Sequence, residues 1–500
     1  MGAAPGAESA SARINPKVSE FVKAPKHLLI GGKWVPAKSG KTFESINPAT
    51  EEVLAHVAEA DQADVDEAVK AARRAFEESK WPLMRPADRA RLLFKIAELI
   101  DANAAELSQL ETLDNGKAIN ESKNIDIPMA AETFRYYAGW VTKIYGETNP
   151  SGPDMFSYTL REPVGVCGQI IPWNFPLLMA SWKLAPALAC GNVSILKPAE
   201  QTPLTALRLG ELLMEAGVPE GVVNILPGFG PGAGSAIAAH PGIDKVAFTG
   251  STEVGREIMK AASGNLKRVS LELGGKSPNI IFPDADMKSA AFGALSGVFL
   301  NQGQVCCAGT RVFVQQQMYD QFTDQLSQLA DKMKIGDPLD ISTRVGPLVS
   351  KEQYERVTGY LDIGKKEGAK VKAGGEKGGQ DKGYFVKPTV FADVNNSMRI
   401  AREEIFGPVA ATIAFKDEND AVFQGNDTSY GLAAAVWTKD VSRAHAVARK
   451  LKAGTVWVNC YGMLDPISPF GGYKQSGFGR ELGKYAIELY TEIKSVFMKL

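Results

Sequence analysis

Hydrophobic residues recur at helical spacing in the first quarter of the chain. One set repeats every three or four residues within 61–78, where acidic residues near the start suit the positive end of a helix dipole. A second set repeats in the same way within 87–100. Both ranges are therefore predicted to be amphipathic helices. Their apolar positions are Val65, Val69, Ala72 and Phe76 in the first range, and Leu92, Ile96 and Leu99 in the second.

From residue 164 the pattern changes to short β-branched runs that alternate with helical segments. Five such steps in series predict an α/β domain with a parallel sheet and helices on both faces. Sheets of this kind bind ligands beyond the carboxyl ends of their strands, so residues just after each run are the first candidates for a site. The predicted strands cover residues 164–171, 193–196, 222–226, 245–249 and 268–272.

A second alternation of strands and helices begins near Asn279 and predicts a second doubly wound parallel-sheet domain. Two further strand-like segments, 156–162 and 495–500, belong to neither series. We predict that these two segments form a small separate sheet. The strands predicted after Asn279 cover residues 311–314, 410–415, 432–438 and 455–459.

Length and charge limit the class of partner. A chain of 500 residues is long enough for two or three folding units. Its 56 Lys and Arg residues nearly cancel its 57 Asp and Glu residues, so no overall field favours nucleic acid or an anionic membrane. The five cysteines lack the paired spacings of zinc sites and disulfide frameworks. We therefore expect a small-molecule ligand, no metal, and a reducing cytoplasmic compartment.

Two segments could be mistaken for membrane-targeting or membrane-spanning segments, but their residues argue against both interpretations. The first twelve residues are small and polar and lack the apolar core of a signal peptide, so they are predicted to be a frayed tail. The myristoylation pattern that Gly2 would open fails, since position 6 is another glycine. Residues 164–182 carry no charge, but Pro172, Asn174 and Pro176 interrupt them. A strand, a loop and a helix explain this stretch better than a membrane span.

Two glycine-rich loops could bring backbone N–H groups against phosphate oxygens. The run Gly228–Gly234 loosely matches a dinucleotide-binding turn, although glycine-rich turns are common for other reasons. The run Gly250–Gly255 follows a predicted buried strand and opens a predicted helix, which suits phosphate better. The full dinucleotide fingerprint is absent, so these loops permit a nucleotide site without specifying one.

Cys306 lies in a polar, glycine-containing loop between an apolar helix and a strand. Most free cysteines are buried structural thiols, which is the competing interpretation. A Cys/His hydrolase is disfavoured because the four histidines lie in unremarkable surroundings. If Cys306 is a nucleophile, loop N–H groups, a nearby cation or a carboxylate acting through water must activate it.

Glu272 ends an otherwise apolar predicted strand. An ionisable side chain there is costly without a partner or a purpose. It is therefore a candidate general base, and a salt bridge or a helix cap is the structural alternative.

Five motifs occur together and in one order, and with them the chain resembles the NAD-dependent aldehyde dehydrogenase superfamily. The likeness covers about residues 27–500 and is strongest to the tetrameric mitochondrial and cytosolic enzymes of broad or retinal specificity. Five ordered motifs are far more specific than any one of them. They are Pro172-Trp-Asn-Phe-Pro176, Glu272-Leu-Gly-Gly-Lys-Ser-Pro278, the Cys306 loop, Glu404-Ile-Phe-Gly-Pro408 and Pro469-Phe-Gly-Gly-Tyr-Lys-Gln-Ser-Gly477.

The resemblance implies a Rossmann-like NAD-binding domain, a catalytic domain and a small β element through which subunits form a homotetramer, a dimer of dimers. Their expected limits are a flexible tail over 1–26, the NAD-binding domain over 27–139 and 163–274, the catalytic domain over 275–474, and the oligomerisation element over 140–162 and 475–500.

The resemblance also implies roles that ordinary chemistry supports. Cys306 would attack the aldehyde carbon, while the Asn174 amide and the Cys306 N–H hold the oxyanion. Hydride would pass to NAD, and Glu272 would then activate water to hydrolyse the thioester. Cys307 neighbours the nucleophile, but the motif assigns the reactive thiol to the first of the two cysteines.

Two further sets of residues match positions of the family. The expected NAD contacts are Ile170, Ile171, Pro172, Trp173, Lys197, Glu200, Gly230, Phe248, Gly250, Ser251, Leu273, Gln353, Glu404 and Phe406. The expected aldehyde tunnel comprises Phe175, Leu178, Met179, Trp182, Leu300, Val305, Gly462, Leu464 and Phe470. Because the tunnel positions are apolar or aromatic, medium or bulky apolar aldehydes are the expected substrates.

Two other functions remain open at this stage. An acylating, coenzyme-A-dependent dehydrogenase would replace hydrolysis by thiolysis and typically dispenses with the general base, so the presence of Glu272 favours water. A crystallin-like structural relative would keep the fold but need not keep Cys306, Glu272 and Asn174.

Overall fold

The computed structural model describes residues 14–500. The strands within this range are β1 (Leu28–Ile30), β2 (Lys33–Val35), β3 (Thr42–Asn47), β4 (Glu52–Ala58), β5 (Thr148–Asn149), β6 (Met155–Pro163), β7 (Val166–Ile170), β8 (Val193–Lys197), β9 (Val223–Ile225), β10 (Lys245–Thr249), β11 (Arg268–Glu272), β12 (Pro278–Ile281), β13 (Arg311–Gln315), β14 (Lys370–Ala373), β15 (Thr389–Ala392), β16 (Val409–Phe415), β17 (Ala433–Trp437), β18 (Thr455–Val458), β19 (Gly477–Phe478) and β20 (Thr491–Lys499).

The helices connect these strands and cover the two large sheets. In chain order they are α1 (Pro16–Lys23), α2 (Gln62–Glu77), α3 (Pro86–Ala102), α4 (Ala104–Asn115), α5 (Ile119–Glu121), α6 (Ile127–Trp140), α7 (Pro176–Ala189), α8 (Leu204–Ala216), α9 (Ser235–Ala239), α10 (Thr252–Ala262), α11 (Met287–Phe299), α12 (Tyr319–Asp331), α13 (Lys351–Lys366), α14 (Arg399–Arg402), α15 (Glu418–Asn426), α16 (Val441–Lys450) and α17 (Tyr485–Leu489).

The first sheet has the strand order β19-β11-β10-β7-β8-β9-β1-β2. Its five central strands are parallel, and antiparallel strands close both edges. Every residue of β7, β8 and β10 is buried because helices cover both faces. The register pairs Thr249 with Glu272, so the ends of β10 and β11 lie side by side at the carboxyl edge.

The second sheet has the order β14-β15-β16-β13-β12-β17-β18 and is parallel except for β14. A third sheet, β20-β6-β5, stands apart from both. The two parallel sheets and the small separate sheet confirm the predicted α/β class. The uncharged stretch 164–182 is the strand β7, a loop and the first part of α7, as predicted.

Two predicted segment limits differ from the structure. Of the tail predicted over 1–26, the first thirteen residues lie outside the described part of the chain. The rest is not a free tail, because α1 buries Val18 against the protein, contacts α4 and β4, and is capped by Asn15. A helix this short depends on such packing, and a pattern of eight residues did not reveal it.

The C-terminal segment differs as well. Within the segment from 475 that was predicted to belong to the oligomerisation element, β19 joins the first sheet beside β11 and α17 packs against α7. Only β20 joins the separate sheet, where it pairs with β6 along its whole length. No helix within 14–500 combines the length and the apolar character needed to cross a membrane.

Candidate active site

A cavity of about 820 Å³ lies at the carboxyl edge of the first sheet. It receives side chains from the loops after β7, β10 and β11, from the loop before β13, and from the segments around residues 404 and 462. The three predicted catalytic residues and all nine predicted tunnel residues line this one space.

The Cys306 loop is held in an unusual backbone conformation. Asn301 and Gln302, which follow α11 closely, both have left-handed backbone angles, with φ of 47° and 54°, and non-glycine residues adopt these at an energetic cost. The loop also packs against Gly275, where an added Cβ would lie 2.4 Å from the Cys306 carbonyl oxygen. Only glycine fits at this approach, which places the segment after β11 directly against the thiol-bearing residue.

The Cys306 thiol is half-buried and needs a base to become a thiolate. Its neighbour Cys307 and then burial raise the pKa of the thiol well above its usual value, and the carboxylates of Glu404 and Glu272 add to this effect. Cys307 is itself buried, with 5% of its surface exposed. Both adjacent cysteines line the cavity, and Cys306 is the more exposed of the two.

Asn174 is fixed to the same loop from both ends. Its side-chain nitrogen donates to the Gln304 carbonyl oxygen at 2.8 Å. Its own carbonyl oxygen accepts from the Asn301 amide at 2.7 Å and from the Lys117 ammonium at 2.9 Å. One amide hydrogen is engaged in the bond to Gln304, so the second is available for a ligand atom beside Cys306.

Glu272 ends β11 as a buried carboxyl without a hydrogen bond. Neither of its side-chain oxygens has a partner among the described residues, and its surface is 5% exposed. Burial raises the pKa of Glu272 well above the ordinary value, and nearby Glu481 raises it further, while Lys183 and Arg480 oppose the shift. An unsatisfied buried carboxyl is costly, and its lack of a partner fits the candidate base better than the salt-bridge alternative.

A buried ion pair lies close to Glu272. Lys183, on α7, pairs with Glu481 and donates to the Thr249 hydroxyl at 2.7 Å. Thr249 is the register neighbour of Glu272, and Glu481 lines the cavity. Buried polar side chains therefore continue from the neighbourhood of Glu272 through Thr249 to the Lys183–Glu481 pair.

The loop after β10 has the features of a phosphate site. Ser251 caps α10 by accepting from the Val254 N–H at 3.2 Å, and Gly250, Ser251 and Thr252 line the cavity. The start of an α-helix presents unpaired N–H groups and a positive dipole end toward a ligand. Of the two glycine-rich loops, the one preferred from sequence is therefore the one that borders the cavity.

Another part of the cavity wall is formed by aromatic rings and an acidic side chain. The rings of Trp173 and Phe406 meet edge to face with centroids 5.1 Å apart. The Gln353 amide donates to the Phe406 carbonyl oxygen at 2.6 Å, so Gln353 supports this segment besides lining the cavity. Glu404 accepts from the Gly275 N–H at 3.0 Å, and burial raises its pKa to about 7.

Some predicted NAD contacts lie beside the cavity and not in its lining. Lys197 ends β8, and its ammonium pairs with Glu200 at 3.1 Å at the carboxyl edge of the sheet. Phe248 lies against Gly250, 2.4 Å from where a Cβ would be. The other predicted contacts outside the lining are Ile170, Ile171 and Gly230.

Sequence reasoning missed several residues of the cavity. Lys183 could have been found, since it is the one charged residue in the apolar helix 176–189. Glu481 lies in the segment that the resemblance assigns to the oligomerisation element. No local sequence pattern indicates that it lies near Glu272. The other missed lining residues include Ile125, Met129, Glu253, Arg256, Arg356 and Tyr461.

Comparison with known proteins gives one consistent result. The model of the aldehyde dehydrogenase family matches residues 34–496. The mitochondrial aldehyde dehydrogenase of Homo sapiens is 55% identical over 475 residues, which cover 95% of this chain and 92% of that protein. Aldehyde dehydrogenase 1A1 of Gallus gallus is 52% identical over 501 residues, covering 99% and 98%.

Solved structures agree with these relatives. The NAD⁺ complex of an aldehyde dehydrogenase from Bacillus cereus superposes with a TM-score of 0.96 at 54% identity, covering 97% of this chain and 99% of that one.

Proposed function

Because this chain belongs to the aldehyde dehydrogenase family, we propose that it oxidises aldehydes to carboxylic acids with NAD through a covalent intermediate on Cys306. The observation that carries the mechanism is the convergence of Cys306, Asn174 and Glu272 on one cavity lined largely by apolar side chains. A thiol nucleophile, an oxyanion donor and a base are the groups that acyl transfer requires.

Acylation begins at the Cys306 thiol. Its raised pKa keeps it protonated near neutral pH, so a base has to take the proton as the sulfur attacks the aldehyde carbon. Water in the cavity takes this proton, which leaves the Glu272 carboxyl for the hydrolysis that follows. The Asn174 amide and the Cys306 N–H then stabilise the oxyanion of the adduct.

Glu272, whose carboxyl has no competing partner among the described residues, acts after the aldehyde carbon has been oxidised. Its carboxylate removes a proton from water, and the hydroxide attacks the thioester carbonyl and frees the Cys306 sulfur. The nearby Lys183–Glu481 pair acts on the pKa of this base in opposite directions, because Glu481 raises it and Lys183 lowers it.

The residues around the cavity fit NAD. The α10 N-terminus, with Gly250 and Ser251, would hold the pyrophosphate, and Lys197 with Glu200 would bind the adenosine ribose. Glu404 and Phe406 would hold the nicotinamide end of NAD, and the Trp173 ring, which packs against Phe406, would line one side of it. When bound, NAD accepts the hydride from the aldehyde carbon.

The proposal is tested by mixing the enzyme with NAD and hexanal. We expect NADH absorbance and hexanoic acid in equal amounts, without coenzyme A. Acid formation that requires coenzyme A, or a hexanoyl thioester as product, would instead identify an acylating dehydrogenase. Absence of NADH with every aldehyde tried would reject the proposed function.

Glu200 is expected to select NAD over NADP. Its carboxylate, held by Lys197, would repel a 2′-phosphate and leave no cation free to pair with it. We expect kcat/KM for NAD to exceed that for NADP by roughly 100-fold, the ratio that 2.7 kcal/mol of differential binding gives. Glu200→Gln should narrow the ratio, while Glu211→Gln, on the exposed face of α8, should leave it unchanged. Equal kcat/KM values in the wild-type enzyme contradict this assignment.

The tunnel is expected to favour apolar aldehydes. Trp182 and Phe470 meet edge to face at 5.4 Å, and the other predicted tunnel residues are apolar apart from Gly462. Each further buried methylene contributes up to about 0.8 kcal/mol, or roughly fourfold in kcat/KM, until the tunnel is full. A series from acetaldehyde to decanal measures this slope. Betaine aldehyde or succinic semialdehyde as the best substrate would contradict it.

Subunits associate, in this proposal, through the separate sheet. Strands β6 and β20 carry exposed apolar side chains, among them Phe156, Leu160, Ile493 and Phe497. Exposed apolar surface on a small sheet is typical of a protein contact. A homotetramer in the cytoplasm is the state we propose, and sedimentation of the purified enzyme measures its mass.

A further inference from the structure

A fully buried ammonium shares the Asn174 carbonyl oxygen with Asn301 of the Cys306 loop. Lys117, in the turn after α4, has none of its surface exposed. Its ammonium binds the Asp126 carboxylate at 2.5 Å and has Glu111 at 3.7 Å, and both acids are also fully buried. Burying an ion pair costs more free energy than most pairs return, so stability alone is a weak reason for this one.

The same ammonium reaches the catalytic segment twice. It donates to the Asn174 carbonyl oxygen at 2.9 Å, and it lies 4.1 Å from the centroid of the Phe175 ring. Asn174 carries the proposed oxyanion donor, and Phe175 lines the tunnel. With the bond to Asp126, these contacts use the three directions in which an ammonium donates.

Neither a helical turn nor a capping side chain holds the Asn174–Phe175 segment at the start of α7. Phe175 precedes α7 in a non-helical conformation, with φ of −138° and ψ of 67°, and no side chain caps the helix. Two neutral amides also reach the Asn174 carbonyl, from Asn301 at 2.7 Å and from Asn115 at 3.5 Å. Lys117 is the charged donor of the three, and a charge-assisted bond is about twice as strong as a neutral one.

We propose that Lys117 is a positioning residue for acylation, which orients the Asn174 amide and the Phe175 ring through one buried ammonium that Asp126 holds in place. The inference rests on the proposed function, because it assigns Asn174 to the oxyanion. Lys117 touches neither the reacting atoms nor Glu272, so its loss slows the step that builds charge on the aldehyde oxygen and leaves NAD binding intact.

The test is Lys117→Met, assayed for NADH formation in a single turnover with enzyme in excess over aldehyde. We expect a slowing of roughly 10- to 100-fold, the effect of displacing a reacting group by about 1 Å. The NAD dissociation constant and the rate of Cys306 alkylation by iodoacetamide should change less than twofold, since neither involves an oxyanion.

A matched control measures the general cost of losing a buried ammonium. Lys267 is 7% exposed and donates to the carbonyl oxygens of Ala238 and His240 at 2.9 and 2.7 Å. Lys267→Met should lower the melting temperature as Lys117→Met does, but its single-turnover rate should match the wild type. Equal slowing in both variants would reduce Lys117 to a structural role and overturn the inference.

A double-mutant cycle tests whether Lys117 acts through Asn174. In an Asn174→Ala background there is no amide left to orient, so adding Lys117→Met should slow acylation less than threefold, the remainder being the effect on Phe175. Full additivity of the two rate effects overturns the inference.

If Lys117→Met does not fold, Asp126→Asn is the variant to test. It keeps the Lys117 ammonium and removes the carboxylate that fixes it. An unchanged single-turnover rate in Asp126→Asn would then count against the proposal.

Two results distinguish a wrong activity from a wrong role for Lys117. A wild-type enzyme that forms no NADH from any aldehyde rejects the proposed function and this inference with it. Normal wild-type turnover with an unchanged rate in Lys117→Met rejects the inference alone.

Discussion

Cys306→Ala is expected to abolish aldehyde oxidation, with a fall in kcat of at least about 10⁴-fold, as removal of a covalent nucleophile does in other acyl-transfer enzymes. Cys306 is the more exposed of the two thiols that line the cavity, and alanine leaves the loop backbone and the cavity in place. NAD should bind as it does to the wild type. Steady-state NADH formation and a fluorescence titration with NAD measure the two effects.

Cys307→Ala is the matched control for that variant. Its side chain is buried and its carbonyl oxygen, which a substitution leaves in place, accepts from the Tyr461 hydroxyl at 2.7 Å. We expect activity within about threefold of wild type, since Cys307 is the less exposed of the two thiols and a buried thiol mainly contributes packing. Full activity in Cys306→Ala, or loss confined to Cys307→Ala, reverses the assignment of the nucleophile.

Glu272→Gln is expected to slow turnover by about 10²- to 10⁴-fold, the usual contribution of a general base. Glutamine fills the same space, so the first NADH should form faster than later turnovers and a burst should precede a slow steady rate. Denatured enzyme quenched in the burst should carry one acyl group, which mass spectrometry locates on Cys306. Steady turnover equal to wild type assigns Glu272 a structural role.

The pH dependence follows from the same carboxyl. Burial and Glu481 raise the pKa of Glu272 well above its ordinary 4.5, and the base acts only in the deprotonated form. Steady-state turnover should therefore rise with pH through a value well above 4.5 and level off once Glu272 is ionised. The Glu272→Gln variant should lose this limb. A wild-type rate that is flat with pH contradicts the role.

Much of the fold follows from short-range pattern. The five strands predicted between residues 164 and 272 all form, and two of them, 245–249 and 268–272, have the predicted bounds. The helices predicted over 61–78 and 87–100 lie within two residues of α2 and α3. Burial on both faces requires continuous apolar runs in parallel strands, and that requirement leaves a strong local signal.

The candidate site divides in the same way. Residues just after strands, such as Asn174, Gly250 and Glu272, were accessible from sequence, because parallel strands bring their carboxyl ends to one edge. The five ordered motifs supplied the roles, but they gave no geometry.

Only the tertiary structure determines the contacts between segments that lie far apart in the sequence. Strand β19, 205 residues later, pairs with β11 beside Glu272, and Glu481 lies near enough to raise the pKa of Glu272. Lys117 reaches Asn174 across 57 residues, and Tyr461 reaches the Cys307 carbonyl across 154. Periodicity reports which face of an element is buried, whereas the identity of the group it is buried against depends on how the elements pack.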